Sequence, residues 1–269
     1  MLRVCSLASG SSGNAYLVRT GQATVLLEAG LPANKLRKYL EAGGVAVENL
    51  TAILVSHEHR DHCQSAAELS LEFGIPVYSS LEALRASGLD GCAYSCLLER
   101  GCPVRFGDIE ITSFAVPHDA AAPVGFRVRA DDRTIILATD LGETDGEVGE
   151  AVAEADLIIL EANHDVRMLH EGNYPYHLRR RISGPRGHLS NDQAGALLAA
   201  KLPHDRVDVW LAHLSRQNNT PAVAMTTVRR ALRRAGLSGV HVAVAGRDRP
   251  SLTWNGALRP RQLSLFAGL

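Results

Sequence analysis

The stretch TAILVSHEHRDH, Thr51 to His62, decides how this chain is read. Its first part is an apolar run of strand length; its second, Ser56 to His62, holds three histidines, a glutamate and an aspartate within seven residues. The run reads as a short buried strand, and the helical pattern CQSAAELSLEFG starts directly behind the cluster. The polar groups therefore sit on a strand-to-helix loop, where α/β proteins build sites. Neutral imidazole and carboxylate are the ligands that a borderline transition metal takes. His57 and His59, two apart in an extended segment, can turn to one ion, and Asp61 and His62 can serve a neighbouring one.

A metal pair needs more than these four ligands, and other apolar runs end in suitable groups. FAVPHD puts His118 just past a strand, IILATD puts Asp140 at the end of the next run, and VWLAHLS puts His213 at the end of a late one. The set becomes His57, His59 and His118 on one side and Asp61, His62 and His213 on the other, with Asp140 as a carboxylate able to bridge. Two metals held in this way suit the activation of water for hydrolysis.

The rest of the chain supplies a frame of alternating elements. Strands are expected near 3–7, 15–18, 24–28, 52–55, 104–105, 110–114, 125–128, 134–138, 157–160, 207–211 and 240–243. Helical patterns lie in PANKLRKYLEAG, LEALRAS, GEVGEAVAEA, SNDQAGALLAAKL and PAVAMTTVRRALRRAG, several ending at glycine. Interspersed strands and helices in 269 residues, nearly half of them apolar, predict an α/β fold of packed sheets covered by helices.

Composition narrows the setting. No apolar stretch approaches the roughly 18 residues of a membrane span, and serines and glycines interrupt the N-terminal run before a signal-peptide core can form. The five cysteines, Cys5, Cys63, Cys92, Cys96 and Cys102, lack zinc-finger spacing and read as reduced thiols of a cytoplasmic protein. A net charge of -1 argues against indiscriminate nucleic-acid binding, but the charge is uneven. Arg167, Arg179, Arg180, Arg181 and Arg186 stand against Glu171 alone, and the C-terminal part adds Arg229, Arg230, Arg233, Arg234, Arg247, Arg249, Arg259 and Arg261. VRRALRRAGL by itself reads as a solvated helix face.

The pattern H-x-H-x-D-H followed by separated His, Asp and His resembles the metallo-beta-lactamase superfamily over essentially the whole chain. The resemblance implies one domain over residues 1–269, an αββα sandwich of two mixed sheets flanked by helices, and two divalent ions, Zn2+ or Mn2+, at one edge of the sheets. The flavodiiron branch usually has glutamate in place of His59, so a hydrolytic site is implied. Two positions depart from the superfamily pattern, Glu28 in LLEAG where aspartate is common and Ser65 where glycine is common; both touch supporting structure.

Within the superfamily, GSSGN, NHD, YP followed by basic residues, GHLSN and HLSRQNN are similar to the YycJ/WalJ group, and GHLSNDQAG also resembles a motif of RNase Z. This implies an exonuclease acting on DNA in preference to RNA, 5′-to-3′ on duplex. A hydroxide bridging the two cations would attack phosphorus in line. Asp61 would orient that water or take its proton, and His188 would protonate the departing sugar oxygen, although His188 also suits a plain helix start before LSND. Arg179, Arg180, Arg181 and Arg186 would hold the backbone of a polyanion by charge. Ser11 and Asn14 of the glycine turn, His164, Ser190, Ser215 and Asn218 are further candidates for substrate contact. The competing functions are a small-molecule hydrolase with the same metals, such as a thioesterase, lactonase or cyclic phosphodiesterase, and a non-catalytic nucleic-acid binder.

Overall fold

The computed structural model describes residues 1–256. Arg259 and Arg261 of the basic C-terminal series lie outside the described residues. The first sheet runs through β1 (Arg3–Ala8), β2 (Ala15–Arg19), β3 (Thr24–Leu27), β4 (Ala52–Leu54), β5 (Val77–Ser79) and β6 (Ser95–Leu97), side by side in that order. The second runs through β7 (Val104–Phe106), β8 (Ile109–Ala115), β9 (Val124–Ala130), β10 (Arg133–Ala138), β11 (Leu157–Glu161), β12 (Asp208–Ala212) and β13 (His241–Val244). β14 (Leu252–Trp254) returns to the first sheet beside β1. Both sheets are mixed: β1 to β3 are antiparallel and β3 to β6 parallel, while β7 to β10 are antiparallel and β10 to β13 parallel.

Successive side chains of a strand point to opposite faces, and here both faces are buried. Ile135 and Leu137 enter the layer between the sheets with Phe126, Ile159 and Trp210, where they meet Val4, Tyr16, Val25 and Leu54 of the first sheet. Ile136 and Ala138 face outward onto α5 (Glu147–Ala153), α8 (Asn191–Lys201) and α9 (Pro221–Arg234). The outer face of the first sheet is covered by α1 (Ala33–Ala42), α3 (Ala66–Phe73) and α4 (Leu81–Ser87), through Leu36, Leu40, Leu69 and Leu84. The αββα order of layers is the one expected. Burial on both faces explains why the strands read as continuous apolar runs, each fully buried Leu or Ile contributing about 1.5–3 kcal/mol. In α9, Val228 and Leu232 turn inward while Arg229, Arg230, Arg233 and Arg234 stay exposed, the solvated face expected of VRRALRRAGL.

Among the described residues, three strands and two helices, besides one single helical turn, went unmarked in the sequence. β5, β6 and β14 have three residues each, too few to show a period. α6 (Val166–Glu171) buries only Leu169, and α7 (Tyr176–Ile182) buries nothing, so neither carries an apolar stripe. The helix expected from Cys63 begins at Ala66 as α3, and a separate single turn, α2 (Arg60–Cys63), lies before it inside the histidine cluster.

Candidate metal centre

The parallel strands bring the sequence-distant groups together, because their carboxyl ends face one edge of the sandwich. His57 and His59 follow β4, His118 follows β8, Asp140 follows β10 and His213 is the residue after β12. Glu28, Asp140 and His213, each just past a strand end, take left-handed backbone conformations, φ 67°, 58° and 52°. Such a conformation costs an L-residue about 1–2 kcal/mol, and strain of this kind gathers at functional sites. For His213 it is held by the backbone N–H, which donates to Ser9 Oγ at 2.8 Å; the same oxygen accepts from Tyr16 OH at 2.7 Å. Gly30 has a stricter task. A Cβ there would stand 1.6 Å from the Asp61 carbonyl oxygen, so only glycine lets the chain after β3 lie against α2.

The seven expected ligands form interlocking groups whose ligand atoms lie within 4.8 Å of one another. His57, His59 and His118 make one; Asp61, His62 and His213 make another; Asp140 joins His57 and His62 in a third. In the first group His57 Nε2 is 3.0 Å from His59 Nδ1, which is 3.4 Å from His118 Nε2. The far nitrogens are anchored, His57 Nδ1 at 2.9 Å from Ser56 Oγ and His118 Nδ1 at 3.1 Å from the Gly187 carbonyl. Burial pushes the pKa of both His57 and His118 down, so these rings are neutral and offer lone pairs.

The second group is richer in carboxylate. His62 Nε2 lies 3.0 Å from Asp140 Oδ2 and 3.6 Å from Asp61 Oδ2, and His213 Nε2 lies 3.4 Å from Asp61 Oδ2. Burial alone would lower the pKa of His62, but Asp140 and Glu28 raise it well above the ordinary value; for His213, Asp140, Asp61 and Glu161 do the same against burial. Burial likewise opposes ionisation of Asp140, yet His213 and His62 hold its carboxyl well below the usual range. This side of the site requires positive charge, whether protons on the rings or metal ions between them.

The donor set fits divalent metal ions. Asn14 Nδ2 stands 3.1 Å from His62 Nε2 and helps to fix the ring. Asp140 Oδ2 is buried and faces His62 Nε2 at 3.0 Å without hydrogen-bond geometry. Converging lone pairs of imidazole and carboxylate leave a place that a cation satisfies.

Two buried acids outside the seven expected ligands complete the arrangement, Glu161, which sequence reasoning did not assign, and Glu28. Glu161, the last residue of β11, accepts from His188 Nδ1 and His213 Nδ1 at 2.8 Å each through Oε1, and from the N–H groups of Leu141 and Leu189 at 3.0 and 3.2 Å through Oε2. Burial would raise its pKa, but His188 and these hydrogen bonds hold it at about 2. Glu28 accepts from Ser56 N–H at 3.2 Å and stands 3.4 Å from His62 Nδ1, so the position that departs from the superfamily pattern orients a ring of the second group. Glu161 had a legible signal, an acid ending the apolar run LIILE as Asp140 ends IILATD.

The expected substrate contacts are spread unequally. His188, 21% exposed at its side chain, sits on a loop held by Gly187, where a Cβ would come within 2.2 Å of the Arg181 carbonyl oxygen. Asn14 is buried and serves the site from behind, with Nδ2 donating to Asp61 O at 3.2 Å; Ser11 is exposed. Ser190 caps α8 in a capping box with Gln193, and Ser215 Oγ accepts from Asn218 N–H at 3.1 Å. His164 and Asn218 are buried, with His164 Nδ1 and Asn218 Nδ2 unpartnered. Arg181 pairs with Asp119 at 2.5 Å and Arg179 donates to the His170 carbonyl, while Arg180 and Arg186 are exposed. Arg247, on the rim, donates to the carbonyls of Leu214 and Ser215 and steadies the loop after His213. All five cysteines are free, and no described helix is long and apolar enough to cross a membrane.

Comparison with known proteins agrees with this geometry. Residues 24–213 match the family described as beta-lactamase superfamily domain, and the chain belongs to it. Within that family it falls in the WalJ and YycJ group. It is 35% identical to the exodeoxyribonuclease WalJ of Streptococcus pneumoniae serotype 2 over 86% of this chain and 88% of that one. It is 32% identical to the exodeoxyribonuclease YycJ of Bacillus anthracis over 86% and 89%. The fold is shared with the metallo-beta-lactamase fold protein YhfI from Bacillus subtilis, with a TM-score of 0.71 at 18% identity over 95% of this chain and 99% of that chain.

Proposed function

We propose that this protein is a metal-dependent phosphodiesterase that degrades DNA from an end, 5′-to-3′, with residues 1–269 acting as one domain in the cytoplasm. The names of the WalJ and YycJ relatives support the substrate class, and the direction rests on resemblance to that group. The observation that carries the chemistry is the Glu161 carboxylate shared by His188 and His213. His57, His59, His118, Asp61, His62, His213 and Asp140 would hold two divalent ions, zinc or manganese, which when bound supply Lewis acidity for water and positive charge for phosphate. Asp61, 3.4 Å from His213 Nε2, would take or steer the proton of the attacking water. His188, its Nδ1 fixed on Glu161, has an Nε2 with no hydrogen bond among the described residues; it donates the proton that the departing sugar oxygen needs.

Purified protein loaded with zinc or manganese and incubated with end-labelled single- and double-stranded DNA and RNA provides the test. Stepwise loss of nucleotides from the 5′ end of DNA is expected; hydrolysis of thioesters, lactones or cyclic nucleotides without any attack on oligonucleotides would replace this reading with a small-molecule hydrolase.

A further inference from the structure

A cavity of about 440 Å³ lies beside the loop that carries His188, bounded by α6, α7 and the start of α8. Its apolar wall is made by Val166, Leu169 and Tyr176. Val166 is 53% and Tyr176 68% exposed, so neither side chain is there to fill the core. Arg179 and Arg180 line the same cavity, the Arg180 guanidinium 6.0 Å from the centre of the Tyr176 ring. His164 and Ser190, both buried, meet there across an isolated parallel β-bridge, and Ser190 is two residues beyond His188. His164 Nδ1 is a buried nitrogen without a hydrogen-bond partner. Core packing explains none of this: an exposed aromatic ring, two cations and an unpaired imidazole nitrogen are the parts of a binding site.

We propose that this cavity receives the nucleobase adjoining the scissile phosphate, turned out of the stack, with Tyr176 as the stacking platform and the polar edge of the base toward His164. The inference rests on the nuclease reading above. A strand of nucleic acid is an anionic chain that carries flat groups with apolar faces and polar edges, and the cavity pairs arginines with an aromatic wall in the same alternation. An aliphatic ligand would leave His164 Nδ1 without a partner and gain nothing from the charge of Arg180. The base must leave its partner to enter, so the enzyme grips one terminal nucleotide at a time, and a mismatched end, cheaper to unpair, is degraded faster than a paired one.

The experiment compares the metal-loaded protein with its Tyr176→Ala and Tyr176→Phe variants on duplex oligonucleotides whose terminal nucleotide is either natural or abasic. Wild type is expected to favour the natural end by about tenfold in kcat/KM, the scale of base–aromatic stacking. Tyr176→Ala should collapse that preference, and Tyr176→Phe, which keeps the ring, should retain it. Equal cleavage of natural and abasic ends by wild type, or an unchanged preference in Tyr176→Ala, overturns the inference alone. No cleavage of any oligonucleotide, with bis-p-nitrophenyl phosphate still hydrolysed, overturns the nuclease reading and this inference with it.

Discussion

The Nδ1 atoms of His188 and His213 both stand 2.8 Å from one oxygen, Oε1 of Glu161. β11 lies between β10 and β12 in the parallel part of the second sheet, so its last residue falls between Asp140 and His213. One carboxylate thereby fixes the tautomer of a proposed metal ligand and of a proposed proton donor, leaving Nε2 of each ring for chemistry.

Glu161→Gln replaces that shared acceptor with an amide that has a single acceptor oxygen and a donor that neither ring nitrogen needs. Turnover should fall about 10- to 100-fold, the usual cost of losing such a supporting partner. The measurement is kcat on an oligonucleotide at matched metal content, with circular dichroism to verify the fold; full activity would mean that the shared bond is idle.

Asp140→Ala should lower bound metal and abolish hydrolysis while the sandwich stays folded, since Asp140 connects the ligand groups and supports none of the layers of the core. Elemental analysis of wild type and variant after reconstitution checks this. A wild-type protein that holds no metal would end the dinuclear proposal.

His188→Ala should keep both ions and lose about 100- to 10,000-fold in turnover on DNA, the range typical of general-acid catalysis. A p-nitrophenyl phosphodiester, whose leaving group needs no proton, should suffer much less. Equal losses on the two substrates reject the proton-donor role, and loss of a metal makes His188 a ligand.

Neutralising Arg180 and Arg186 should weaken binding to DNA of any sequence and lower the salt slope by about one for each phosphate that no longer meets a cation. The same change at Arg181 should matter less, because Asp119 already engages it. Binding isotherms at several salt concentrations separate the cases, and identical slopes for all variants would move the substrate track elsewhere.

Loading the metal-free protein with zinc near neutral pH should release protons, because His62 and His213 are raised above the ordinary value by their carboxylate neighbours and must give up those protons to bind. Folded-state values above about 6.5 stabilise the metal-free protein fully below that pH, and the contribution is lost as pH rises through them. Titration calorimetry in buffers of different ionisation enthalpy measures the release; zero net release contradicts the charge assignment.

Much of the candidate site was legible because ligand chemistry is carried by rare residue types near strand ends. SHEHRDH, FAVPHD, IILATD and VWLAHLS each announce their groups locally, and apolar runs mark the strands before them. Short elements escaped for the opposite reason: α7 buries no residue and β5 spans three, so neither imposes a period on the sequence.

Residue types and their local spacing set which groups were available, the layers that bury them and the placing of His57, Asp140 and His213 past the carboxyl ends of strands. Which groups share a site is a matter of strand order and register, properties of contacts between segments far apart in the chain. The parallel alignment of β10, β11 and β12 puts Glu161 beside His213, and the loop held by Gly187 brings His188 to the same carboxylate. Only the approach of Gly30 to Asp61 seats α2 so that His62 reaches Asp140. Likewise Arg179, Arg180 and Arg181 are consecutive in sequence, yet one helical turn sends them to a backbone carbonyl, an aromatic ring and a carboxylate. A helix rotates each successive side chain by about 100°, so neighbours in sequence acquire different partners in space.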